Sequence, residues 1–243
     1  MGVPGASRIM YDAAYPPSPP DIADVVAGYI GGGTPHIWTE QEWINAGKRW
    51  RLPIFTRVPP TSHTPESDAA FCTSWLLHHN VPYGCCLALD FETSIAPDYV
   101  RRFDSRIIAA GWRTLLYGSR STVMQNPQPS GGYWAAHWTN QQHLCNGAIA
   151  TQYGGDVTLG KPYDLSVVSD SLPLWDLAED IPEEDMTPDE CRVVVRDELA
   201  RALSLLIGAQ ANTGYSFKDS TQGPRNVDRG PTLPDIEEQI AAK

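Results

Sequence analysis

The sequence predicts an α/β fold: an irregular TIM-like (β/α) barrel with helix-poor last three strands, plus a C-terminal helix and an extended tail. Three observations carry this. Short apolar runs bounded by turn residues recur eight times between Arg8 and Val168, which is the signature of strands rather than of long helices. Helical patterns separate the early runs, and alternating strand and helix implies a parallel sheet with right-handed crossovers. About ten residues separate each of the last three runs from the next, while a parallel crossover needs about a dozen. Loops, with some strands antiparallel, are therefore expected there.

Taken in order, the first strand is Arg8 to Tyr11, closed by Asp12, and the second is Val25 to Ile30, followed by Gly31-Gly32-Gly33. Thr39 and Glu42 form a Thr-x-x-Glu capping signature that starts a helix over Thr39 to Gly47. The third strand, Pro53 to Val58, leads into a helix over Glu66 to Asn80, and the fourth, Cys85 to Phe91, into a helix over Pro97 to Gly111 that stops at its glycine. The remaining strands are Thr114 to Tyr117, Tyr133 to Trp138, Ala148 to Tyr153 and Tyr163 to Val168. The barrel is expected to occupy residues 1–174, short of the roughly 200 residues at the lower limit of a complete eightfold barrel. Helices must be missing from its final third.

After this the composition changes. Residues 175–186 read as an acidic, proline-containing linker. In Thr187-Pro188-Asp189-Glu190 the threonine caps, the proline takes the first helical position and the glutamate completes a capping box. An amphipathic helix over 187–211 follows, with Cys191, Val195, Leu199, Ala202, Leu206 and Ala209 on one stripe. Residues 212–243, rich in glycine, proline and charge, read as an extended tail.

A formal net charge of −11 argues against nucleic acid, whose phosphates demand a basic surface. No run approaches the roughly 18 apolar residues of a membrane span, so no membrane partner is expected. Met1 to Tyr15 lacks a basic n-region and an apolar h-region, so no secretory signal is expected and synthesis is assigned to the cytoplasm. The five cysteines show no metal-ligand spacing, and an odd count cannot pair completely. No metal or cofactor is expected, and His137 and His143 read as ordinary polar residues. Gly118-Ser119-Arg120-Ser121 lacks the second glycine of a nucleophile elbow. His78 and His79 are adjacent on a helix and point in different directions.

The acids are more informative. In parallel barrels the site lies at the C-terminal ends of the strands. Asp12 closes the first strand and Asp90 and Glu92 close the fourth; two residues apart on a strand, the latter share a face at about 6.6 Å. Asp164 opens the last strand and reaches the same mouth if that strand runs antiparallel. Clustered carboxylates suit glycosidic bond cleavage, in which an acid protonates the leaving oxygen and an anion assists at the sugar carbon. Eight tryptophans and ten tyrosines supply flat surfaces suited to sugar rings.

The ordered set Asp12, Asp90-Phe91-Glu92, Tyr117, Tyr133-Trp134-Ala135-Ala136, Gln152-Tyr153 and Asp164 resembles the lysozymes of glycoside hydrolase family 25. The stretch Gly28 to Gly32 and Trp38 to Trp43 is more similar to the glycoside-hydrolase-like DUF1906 proteins of actinobacteria and their phages. The resemblance spans Arg8 to about Asp170. It implies an irregular barrel with five βα units, and activity on bacterial cell wall glycan, cleaving peptidoglycan between N-acetylmuramic acid and N-acetylglucosamine. It implies Glu92 as general acid, Asp90 as stabiliser of positive charge, and Asp12 and Asp164 as orienting groups. Tyr117, Trp134, Trp138, Gln152 and Tyr153 would bind substrate. Family members usually carry a serine and a glutamine shortly after the first aspartate, where this chain has Ala13-Ala14, and an acidic end to strand two, where it has glycines. A phage lysin or virion-associated wall hydrolase, released at lysis, fits these expectations. The other reading is a non-catalytic virion structural or glycan-binding protein, with 187–243 anchoring virion proteins or a second copy of the chain.

Overall fold

The computed structural model describes residues 7–57, 63–91 and 95–177. Glu92 and the helix and tail expected over 187–243 lie outside the described residues, as does all of the linker beyond Leu177.

Eight strands close into a barrel. They are β1 (Ser7–Asp12), β2 (Val25–Gly32), β3 (Trp50–Thr56), β4 (Cys86–Asp90), β5 (Arg113–Ser119), β6 (Gly132–Ala136), β7 (Ala150–Gly154) and β8 (Asp164–Ser169). Each pairs with its neighbours in sequence, and β8 returns to β1. All pairings from β1 to β7 are parallel, while β8 runs antiparallel to both β7 and β1.

This corrects one expectation in part. Of the last three strands only β8 reverses; β6 and β7 are parallel. Both are shorter than the apolar runs that predict them, so residues 137–149 remain between them, enough for a crossover without a helix. Trp175 and Asp176, read as the start of the linker, form a ninth strand, β9 (Trp175–Asp176), antiparallel to Trp50 and Arg51 at the start of β3.

The helices concentrate in the first two thirds. Helix α1 (Glu40–Asn45) has the capping box read from the sequence: Thr39 accepts from the Glu42 amide, and Glu42 accepts from the Thr39 amide. Helix α2 (Pro65–His78) starts from a second box, Thr64 with Ser67, and α3 (Pro97–Ala109) opens on a proline. Later connections carry only α4 (Arg120–Val123) and α5 (Asp156–Leu159). None of the described helices is long and apolar enough to cross a membrane.

Strand alternation divides the core into two layers. Met10, Ala27, Ile54, Ala88, Leu115 and Trp134 belong to the inner cluster, with Leu172 and Leu174. The Cys86 amide donates to the Pro173 carbonyl, which draws these two leucines across the N-terminal end of the barrel. The alternate residues, among them Val26, Phe55, Leu87 and Leu116, form an outer layer with Trp43, Leu76, Phe103 and Ile107 of the helices. One end of the barrel is thus plugged by apolar side chains. The other is left to polar ones.

Candidate active site

The same alternation that places Met10, Ile54, Ala88, Leu115 and Trp134 inside brings Asp12, Thr56, Asp90, Tyr117 and Ala136 to the C-terminal mouth, two residues further along each strand. In register, Asp12 faces Asp164 across the antiparallel β1–β8 pair, Thr56 faces Asp90, Asp90 faces Tyr117, and Ala136 faces Gln152. Reversal of β8 is what brings its first residue, Asp164, to this end.

Like charges directly opposite on neighbouring strands repel. Gln152 answers this for Asp12 and Asp164. Its Nε2 donates to Asp12 Oδ1 and Oδ2 at 3.3 and 3.4 Å and to Asp164 Oδ2 at 3.3 Å. Its Oε1 accepts from the Tyr117 hydroxyl at 2.9 Å and from Trp138 Nε1 at 2.7 Å. Every hydrogen-bonding position of the amide is engaged, and only this orientation matches donors to acceptors. Gln152 is fully buried and Asp12 is 4% exposed, so these bonds offset the desolvation that burial imposes on polar groups.

Asp90 is equally withdrawn, at 5% exposure. Thr56 Oγ1 donates to its Oδ2 at 3.1 Å. The amide of Phe91 donates to the Tyr117 carbonyl at 3.0 Å, which holds the chain in strand register one residue past Asp90. Gly155 lets Asp164 approach: a Cβ at that position would strike Asp164 Oδ1. Beside the network opens a cleft of about 370 Å³ lined by Tyr117, Ser119, Ala136 and Trp138. The tryptophan is 44% exposed, and its Nε1 edge is fixed by the bond to Gln152; a ring held in this way suits a flat ligand face.

The structure thus unites Asp12, Asp90, Asp164, Tyr117, Trp138 and Gln152. Two predicted site residues sit elsewhere. Trp134 is 1% exposed; it lies one pleat below the mouth, its Nε1 donating to Ser166 Oγ at 3.0 Å and its ring 4.4 Å from that of Tyr117. It supports the site from beneath and does not line it. Tyr153 follows Gln152 in the strand and must face the other way; it packs in the outer layer, where burial pushes its phenol pKa upward. Thr56, Ser119 and Ser166 went unpredicted. Thr56 was legible, since Leu52, Ile54 and Thr56 alternate toward one face.

A second cluster follows β6. In the β6–β7 connection, His137, His143 and Cys145 bring their ligating atoms within 4.8 Å of one another.

No protein-family model matches the sequence, and no curated protein matches it. Solved structures do match. An uncharacterized protein of B. stearothermophilus superposes with a TM-score of 0.54 at 14% identity, covering 69% of this chain and all of the other. A glycosyl hydrolase 25 of Streptococcus pneumoniae, described as a virulence factor participating in host cell invasion, superposes with a TM-score of 0.50 at 12% identity, covering 67% of this chain and 87% of its own. The described barrel therefore has the fold of a family 25 glycosyl hydrolase.

Proposed function

We propose that this protein is a glycoside hydrolase acting on bacterial cell wall peptidoglycan, of muramidase type, serving a phage as a lysin or virion-associated enzyme. The observation that carries the reading is that Asp12 and Asp164 share Gln152 while Asp90 stands beside Tyr117, itself bonded to Gln152, at the same mouth of a barrel with the family 25 fold. Glu92, two residues beyond Asp90 in sequence, is assigned as the general acid. It protonates the glycosidic oxygen as the bond to the sugar carbon breaks, while Asp90 stabilises the positive charge that develops on the sugar or on its acetamido group. Gln152 keeps Asp12 and Asp164 apart from one another and oriented. Trp138 and Tyr117 carry the glycan along the cleft.

A second reading, a glycan-binding virion protein that no longer cleaves, is favoured by the end of β2. There Gly31 and Gly32 bring no acid to the mouth, and a Cβ at Gly31 would strike the Phe71 ring. Zymography on peptidoglycan separates the two. Clearing by wild type that is lost in Glu92→Gln is the result expected; clearing that persists unchanged in the variant removes Glu92 from its role. Absence of clearing by wild type on several wall types, with retained binding, favours the second reading.

A further inference from the structure

His137, His143 and Cys145 have an H-x5-H-x-C spacing that matches no common ligand signature, yet the fold closes the loop so that their side chains meet. His137 Nδ1 lies 2.9 Å from His143 Nε2, and Cys145 Sγ lies 3.5 Å from the first and 3.7 Å from the second. A tetrahedral zinc ion, with Zn–S of about 2.3 Å and Zn–N of about 2.05 Å, holds sulfur and nitrogen about 3.6 Å apart and two nitrogens about 3.3 Å apart. Both sulfur–nitrogen separations already have that length. The nitrogen pair is a few tenths of an ångström shorter because it shares a hydrogen bond.

The protonation pattern points the same way. His143 Nδ1 lies 2.7 Å from the Gln141 carbonyl, which can only accept, so Nδ1 carries the proton and Nε2 turns a lone pair toward its two neighbours. A ligating histidine whose other ring nitrogen donates to a backbone carbonyl is the usual supporting arrangement in metal sites. His137 Nδ1 then donates to His143 Nε2. Being exposed, His137 can pass that proton to its Nε2 through solvent and free Nδ1.

The backbone fixes the trio before any ion arrives. The His137 amide donates to the Gln152 carbonyl at 2.9 Å, and the Cys145 amide to Thr151 Oγ1 at 2.9 Å, so both ends of the loop hang from β7. Cys145 is 6% exposed at the base of the cluster, and the histidines rise toward solvent. Two imidazoles and one thiolate suit zinc better than calcium or magnesium, which prefer oxygen.

We propose that His137 Nδ1, His143 Nε2 and Cys145 Sγ bind one Zn²⁺, leaving its fourth position open to water. Binding displaces the thiol proton of Cys145 to solvent and replaces the His137–His143 hydrogen bond by two Zn–N bonds. The ion would clip the β6–β7 crossover, which, like the β1–β2 connection, is parallel and has no helix among the described residues. It would also steady Trp138, which lies next to His137 in the chain.

The test uses the full-length chain, stripped with a chelator and titrated with Zn²⁺ alone, then with Co²⁺ as a spectroscopic substitute. One Zn²⁺ per chain is expected, with affinity falling by more than the roughly 10- to 100-fold that loss of a supporting partner costs, in His137→Gln and in His143→Gln. The Co²⁺ form should show tetrahedral d–d bands and a thiolate charge-transfer band, the latter absent in Cys145→Ser. Circular dichroism of the metal-free variants checks folding, and the exposed His137→Gln keeps the test valid if Cys145→Ser unfolds. Zinc bound with unchanged affinity in both histidine variants, binding well below one ion per chain, or an octahedral cobalt spectrum without the thiolate band would each overturn the site.

Discussion

The helix-backed part of the barrel and its helix-poor part are held by different forces. Around β2 to β5, helices α1, α2 and α3 bury aromatic rings against the sheet. Phe55 stacks near Phe103 at 6.3 Å, Phe91 and Tyr99 lie parallel at 5.5 Å, and Trp43 meets both Trp75 and Trp175 within 6.4 Å. Around β6 to β8 the connections bring few apolar side chains, and order comes from polar networks: Gln152 with four partners, Trp134 with Ser166, and the loop of His137, His143 and Cys145. The difference teaches where function was placed. Apolar burial is non-directional and scales with area, whereas hydrogen bonds fix individual atoms, which a reactive mouth requires.

Substitutions should separate these two kinds of support. The largest stability loss is expected from Phe103→Ala, which empties the outer layer beneath α3; urea unfolding should show a loss of about 3 to 5 kcal/mol. Gln152→Ala comes next. It removes the acceptor that the Tyr117 hydroxyl and the Trp138 indole share and the donor between Asp12 and Asp164, and it should cost roughly 2 to 3 kcal/mol. Unlike the first change, it should also alter Trp138 fluorescence and abolish wall clearing in the surviving folded protein. Gly155→Ala drives a methyl into Asp164 and should cost about 1 to 3 kcal/mol, with activity falling more than the thermal midpoint suggests. The smallest effect belongs to Thr39→Ala, which removes the α1 cap for about 1 kcal/mol and should leave clearing untouched. If Gln152→Ala proves as silent as Thr39→Ala, the proposed division of labour between the two regions is wrong.

The same division explains what the amino-acid order revealed. All eight barrel strands follow from apolar runs, and the Thr39–Glu42 cap from four residues, because both are local signals. Asp12 and Asp90 were brought together by one rule, that parallel barrels work at the carboxyl ends of their strands, and Asp164 joined them through the short last connections, which imply a reversed strand. Aromatic type misled twice. Trp134 and Tyr153 have the chemistry of sugar-binding residues, but strand parity turns Tyr153 outward and sinks Trp134 one pleat below the mouth. The same parity, applied strictly, would have chosen Thr56. The histidine–cysteine cluster was invisible for a different reason: an irregular loop brings it together through long-range bonds to β7, and no periodicity records those.

The central claim, that the acidic mouth cleaves wall glycan, is tested most directly by the chemistry of the products. Peptidoglycan digested by the full-length chain, reduced with borohydride and analysed by mass spectrometry, should yield soluble fragments ending in N-acetylmuramitol, and Asp90→Asn should release far fewer. Fragments ending in N-acetylglucosaminitol, or no soluble fragments from any wall type at any tested pH, would contradict the account.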